Sequence, residues 1–228
     1  MTTANGEPHQ WGYTAVVAGV IGGIFAGQIG LLIAAGIHGS AITTATGPLW
    51  GLALSSLCLQ LATGGVPLFV AGPRDLGLSI RWIDLPVGIA AGVFAQLVLV
   101  WLLYQPLSHW ITKEDLEGPA RTLGDLVHNP ADRILLVLMV CVGAPIAEEL
   151  MYRGLLLGAL RQRMGRWPSV VISAAIFGLV HFQGIQLPGL ILIGLVLASL
   201  VTWSGRLGTS MVAHAAFNAV TVIQLLTR

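Results

Sequence analysis

The sequence predicts an all-α fold: a polytopic transmembrane helix bundle of about seven spans, forming one integral-membrane domain over residues 1–228. Three observations carry this expectation. Hydrophobic residues make up 55% of the chain and charged residues only 9%, against about a quarter charged in soluble domains, and mean hydropathy is +0.83. Apolar runs near the roughly 20 residues that cross a bilayer recur along the whole length. These runs are continuous, without the polar and apolar alternation of barrel strands, so a β-barrel is excluded as the reading.

The first run, about 14–37, follows MTTANGEPHQ, which has no basic region. It is too long for the core of a cleaved signal peptide, so it is expected to stay. Gly19, Gly23 and Gly27 recur along it at helical spacing, as do Gly88 with Gly92 and Gly154 with Gly158. Such small-residue faces let membrane helices approach closely, here as packing within one bundle. The second run, 48–72, leads into RDLGLSIRWID (Arg74 to Asp84), whose mixed charges and large apolar residues suit a piece lying at the membrane surface. The third run covers 86–104. The only long polar segment, 105–132, reads as a solvated connector. Runs at about 133–158, 168–183, 187–203 and 208–226 complete the count, and the motif-bearing core falls within about 133–226.

Basic residues set the orientation. Arg161, Arg163 and Arg166 cluster in one short loop, with Arg74 and Arg81 two loops earlier and Arg206 two loops later. By the positive-inside rule this face is cytoplasmic, which puts the N-terminus in the cytoplasm. Cys58 and Cys141 are isolated within apolar runs, supporting neither a disulfide framework nor a zinc motif. A net charge of +1 without a basic block leaves nucleic acid no electrostatic footprint.

The chemistry is expected inside the membrane. Glu148 and Glu149 stand side by side in an apolar run, where ionisable groups are costly and mark functional sites by default. Glu149 and Arg153 are four apart on a helix and pair. Glu148 has no such neighbour at helical spacing, and a lone carboxylate in apolar surroundings suits proton abstraction from water. The competing reading is that both acids merely tie helices together. His181 and His214 also sit within apolar spans, and Phe177 with His181 and His214 with Asn218 are each four apart, so each pair shares a helix face that can aim at one intramembrane active-site cavity.

These residues spell three motifs: EExxxR from Glu148 to Arg153, FxxxH from Phe177 to His181, and HxxxN from His214 to Asn218. In this order the chain resembles the CPBP family of intramembrane proteases, which includes the eukaryotic Rce1 CAAX prenyl endopeptidases and the bacterial Abi proteins associated with bacteriocin self-immunity. The resemblance implies that Glu148 and His181 activate a water for attack on a peptide carbonyl and that His214 and Asn218 stabilise the oxyanion. Glu149, Arg153 and Phe177 would support the site. A metal-free mechanism needing no cofactor is favoured. Zinc held by Glu148, His181 and His214 stays open, because two histidines and a carboxylate are a zinc ligand set.

The expected substrate is a membrane-associated peptide or protein, lipidated in the CAAX branch of the family. The expected setting is the lipid bilayer of a bacterial plasma membrane, with the site opening toward the cytoplasm between the basic loops. Oligomeric state is left open. The rivals are a non-catalytic scaffold or bacteriocin self-immunity factor, in which the motif serves as a clamp, and a proton-relaying transporter, against which the absence of an internal repeat counts.

Overall fold

The computed structural model describes residues 12–43 and 46–227, so the expectation for the amino-terminal segment lies outside the described residues. Among these the chain is helical and contains no strand. Eight helices follow one another: α1 Tyr13–His38, α2 Leu49–Asp75, α3 Asp84–Leu107, α4 Lys113–Gly124, α5 Pro130–Arg161, α6 Arg166–Leu179, α7 Leu187–Ser204 and α8 Gly208–Leu226. All but α4 and α6 are long and apolar enough to cross a membrane. Large apolar side chains point outward along them, Phe69 at 93% exposure the extreme, as expected where lipid rather than water is the solvent. The protein is an integral membrane protein.

Helix ends follow local rules. Gly39 and Gly205 close α1 and α7 in the left-handed conformation (φ 80° and 71°) that glycine adopts without a Cβ penalty. The Asn129 side chain accepts the Asp132 N–H at the start of α5, with Pro130 in the first turn. Thr112 and Asp115 form a reciprocal capping box at the start of α4. There the Thr112 backbone N–H helps hold the Asp115 carboxyl below its ordinary range.

The glycine faces pack helix on helix, as expected. A Cβ at Gly23 would strike Thr63 of α2, and one at Gly92 would strike the Ala213 carbonyl of α8. Ser55 Oγ adds a 2.8 Å hydrogen bond to the Gly27 carbonyl. The main core gathers α5 residues such as Met151 and Leu155 with Phe177, Ile193, Leu197 and Leu207.

The two faces of the bundle are built differently. At one, the 76–83 and 205–207 loops are stitched by Leu207 N–H to Gly77 O (2.9 Å) and Gly208 N–H to Ser79 O (3.1 Å). Buried Asp84 takes a bidentate grip from Arg206 (Nη2 to Oδ1 2.6 Å, Nε to Oδ2 3.0 Å) and the Thr209 hydroxyl. The segment expected to lie at the membrane surface is thus partly anchored. Leu76 and Asp84 are buried, while Ile80 and Trp82 stay exposed.

At the opposite face, Leu49, Leu126, Leu136 and Val222 form a second, smaller core. The connector 105–132 contributes more than solvated chain. It contains α4, tied down by Gln186 Nε2 donating to the Asp115 carbonyl at 2.9 Å and the Leu116 carbonyl at 3.1 Å.

Two departures from a plain α-helical reading matter for the site. The fifth apolar run yields a helix of only 14 residues, α6, and residues 180–186 beyond it are turns and irregular chain. Helices α3 and α5 also widen into π-turns, at Ala95–Leu99, Leu138–Gly143 and Glu149–Leu156. Such turns recur at functional sites.

Candidate active site

The acid pair falls where α5 changes register: Glu148 ends an α-helical turn and Glu149 begins the π-helical one. The two side chains part company there. Glu148 reaches a cavity of about 710 Å³ that His181, His214, Asn218 and Phe177 also line. Glu149 turns into the core and is fully buried.

Glu149 is the hub of a buried network. Its Oε1 lies 3.0 Å from Arg153 Nη1 and 3.0 Å from His214 Nδ1, and the Ser210 hydroxyl donates to Oε2. The expected pairing with Arg153 is present, and the link to two residues of α8 is additional. Arg153 also donates from Nη2 to the Gly194 carbonyl of α7 at 3.3 Å, and its guanidinium stacks 4.1 Å from the Phe177 ring centroid. Three neighbours of α5 are thereby held against the motif: α6 through Phe177, α7 through Gly194 and α8 through Ser210 and His214. The Ser173 hydroxyl reinforces this by donating to the Tyr152 carbonyl at 3.0 Å.

Two histidines lie close to the Glu148 carboxylate. Its Oε2 is 3.7 Å from His214 Nε2 and 4.0 Å from His181 Nε2. Each separation is one that a single water oxygen bridges at about 2.8 Å from either atom. The ring orientations have identifiable causes. His181 Nδ1 sits 2.7 Å from the Phe177 carbonyl, an acceptor only, so Nδ1 carries the proton and Nε2 faces Glu148. His214 Nδ1 likewise donates to the Glu149 carboxylate, leaving Nε2 for the cavity. Phe177 packs edge-on against both rings, with centroids 4.8 Å from His181 and 5.8 Å from His214.

The expectation that His181 shares a helix face with Phe177 is corrected. α6 is capped at Val180, and His181 stands in the turn beyond it, held by the bond to the Phe177 carbonyl. The next residue, Phe182, is the only non-glycine with positive φ (53°) among the described residues. A bulky residue there is strained, a condition that clusters at functional sites. Asn218 lies one helical turn from His214, and its Nδ2 donates to the Val140 carbonyl of the other π-helical stretch at 2.8 Å.

The direction of the cavity is a second correction. From Glu148 its lining runs to Tyr104, Leu190 and the α4 residues Lys113, Glu117 and Leu123, and includes nothing from 76–83, 162–165 or 205–207. It therefore extends to the face opposite the basic loops, contrary to the expectation of an opening between them. Sequence reasoning also missed Ser210 and Gln96. Gln96 lines the cavity from the π-turn of α3; its Nε2 donates to Thr221 Oγ1 at 3.1 Å, and its Oε1 is buried without a partner.

Among the described residues no group of three histidine, cysteine, aspartate or glutamate side chains is arranged to hold a metal ion. Glu148, His181 and His214, the ligand set the sequence leaves open for zinc, converge on the cavity without meeting that arrangement.

A membrane-embedded helix bundle with a glutamate between two histidines at the end of an internal cavity is the class of protein that fold and site define. Residues 130–220 match the family model Rce1-like, described as type II CAAX prenyl endopeptidase Rce1-like. That match agrees with the CPBP/CAAX protease family that the three motifs resemble. No curated protein and no solved structure matches the chain.

Proposed function

We propose that the protein is an intramembrane endopeptidase that hydrolyses a peptide bond of a membrane-associated or lipidated substrate with a water activated by Glu148 and His181. The observation that carries the reading is the convergence of the Glu148 carboxylate with Nε2 of both His181 and His214 at one cavity wall. Glu148 takes a proton from the water as its oxygen attacks the carbonyl carbon, and His181 Nε2 accepts the other hydrogen and fixes the attack direction. The resulting oxyanion is met by His214 and Asn218. His214 can donate there only with a proton on Nε2 as well as Nδ1, and the Glu149 carboxylate behind the ring stabilises that imidazolium. Glu148 then passes its proton to the departing nitrogen as the C–N bond breaks, leaving a new amine and a carboxylic acid whose remaining proton, the one held at His181 Nε2, is released to water.

The mechanism is proposed as metal-free, since a glutamate-activated water supplies the nucleophile. The lining of Val100, Leu136, Leu190, Ile193 and Phe217 suits an apolar side chain or lipid-bearing segment. The basic loops and N-terminus are proposed to lie on the cytoplasmic side of a bacterial plasma membrane.

The test compares termini of membrane-associated proteins by mass spectrometry in cells making the wild-type chain or Glu148→Gln at equal abundance. A terminus seen only with the wild type supports proteolysis and supplies a substrate for purified protein. Identical termini, with Glu148→Gln restoring a deletion phenotype, would leave a non-catalytic scaffold as the reading.

A further inference from the structure

The two faces of this bundle differ in charge as well as in construction. Arg74, Arg81, Arg161, Arg163, Arg166 and Arg206 lie on the face of the short loops. On the other face the described cations are Lys113, Arg121 and Arg133, among Glu114, Asp115, Glu117, Asp125 and Asp132. Two of these three cations are tied to one acid: Arg121 pairs with Glu117 at 2.8 Å and Lys113 with Glu117 at 3.6 Å. Lysine and arginine in short loops near span ends are retained on the cytoplasmic side during insertion, while acidic residues have little influence. The short-loop face, with its cations concentrated beside span ends, is the one this rule assigns to the cytoplasm.

The cavity extends the other way. Most of its lining lies in the halves of the spans nearest α4, with Tyr104 at the end of α3, Leu136 and Met139 early in α5, Gly189 early in α7 and Leu225 late in α8, while Glu148 and His214 mark its inner end beyond the midpoints of α5 and α8. Lys113 and Glu117 stand at its outer end. Lys113 has 73% of its side chain exposed.

We infer that the cavity opens to the non-cytoplasmic side of the membrane, and that its substrate is a membrane-anchored segment of an exported polypeptide presented on that side. The choice of substrate rests on the proposed protease reading; the side on which the cavity opens does not. A cytoplasmic lipidated terminus would have to cross the bilayer to reach Glu148. An exported segment held in the outer leaflet would meet the α4 roof directly.

Single cysteines decide the side. With Cys58 and Cys141 replaced by alanine, Lys113→Cys on α4, Gln183→Cys on the cavity wall and Gln162→Cys in a basic loop are each placed in the full chain in intact cells. Each is treated with a membrane-impermeant maleimide, and reagent uptake after detergent lysis normalises for the amount of accessible protein. The expected result is labelling of Lys113→Cys and Gln183→Cys in intact cells and of Gln162→Cys only after permeabilisation, a difference of tenfold or more. Labelling of Gln162→Cys in intact cells, or protection of Lys113→Cys until lysis, would overturn the inference. Labelling requires no turnover, so it decides the side even if Glu148 proves not to be catalytic. Glu148-dependent termini should then fall in exported segments, and termini in cytoplasmic segments would overturn the substrate assignment.

Discussion

His214 Nδ1 lies 3.0 Å from Glu149 Oε1, so the second acid of the adjacent pair holds the histidine that the first acid faces from the other side. The EExxxR motif is thus one device with two functions, because Glu148 addresses the cavity while Glu149 and Arg153 lock the helices around it.

Glu149→Gln tests that division. The substitution keeps the shape of the side chain but leaves the buried Arg153 guanidinium without its counterion, and breaking a buried pair costs about 3–5 kcal/mol. We expect a clear fall in the thermal midpoint of the purified protein. We also expect at least about a hundredfold loss of kcat, since an amide stabilises a His214 imidazolium poorly. Adding Arg153→Met should recover much of the stability and none of the activity. Recovery of activity in the double variant would show that Glu149 serves only Arg153.

Asn218 is expected to act through its amide. Asn218→Ala removes both the bond to the Val140 carbonyl and the proposed oxyanion donor. A donor of this kind contributes about 3–4 kcal/mol to the transition state, so kcat should fall by roughly a hundredfold or more while KM changes little. A changed KM with an unchanged kcat would make Asn218 a substrate contact instead.

Chelation should leave the enzyme active. Purified protein incubated with a strong zinc chelator is expected to retain its rate, and elemental analysis should find no stoichiometric metal. One zinc per chain, lost together with activity in His181→Ala, would replace the proposed water activation by metal catalysis.

The spans and the motif residues could be read from the chain because both rest on composition: twenty apolar residues in a row have few other uses, and two acids within such a run demand a partner. The parts that escaped depend on backbone geometry or on which spaces are filled. Ser210 looks like any small residue of a packed membrane helix until Glu149 is seen beside it. Nothing in the order of residues separates the π-helical Glu149–Leu156 from an α-helix, although this stretch carries the Glu149 and Arg153 clamp. His181 is expected on a helix because it stands in a continuous apolar run four residues after Phe177; the helix nevertheless ends two residues earlier. The end at which the bundle is hollow follows from which residues of α3, α4, α5 and α8 line the cavity together, and a list of apolar runs carries no such information.

Asp84→Asn provides the control at the far face. Asp84 is fully buried, grips Arg206 through two oxygens and accepts the Thr209 hydroxyl, so it fastens the 76–83 loop to the start of α8. An asparagine loses the charge and one acceptor oxygen, and should cost about 2–4 kcal/mol as the Arg206 guanidinium loses its paired carboxylate. The loss should appear as a lower thermal midpoint. His214 sits two turns into α8 and is independently held by Glu149, so kcat of the remaining folded enzyme should stay within about twofold, a difference under ~0.5 kcal/mol. A tenfold fall in kcat would mean that the clamp sets the depth of α8 in the bundle, and with it the approach of His214 to Glu148.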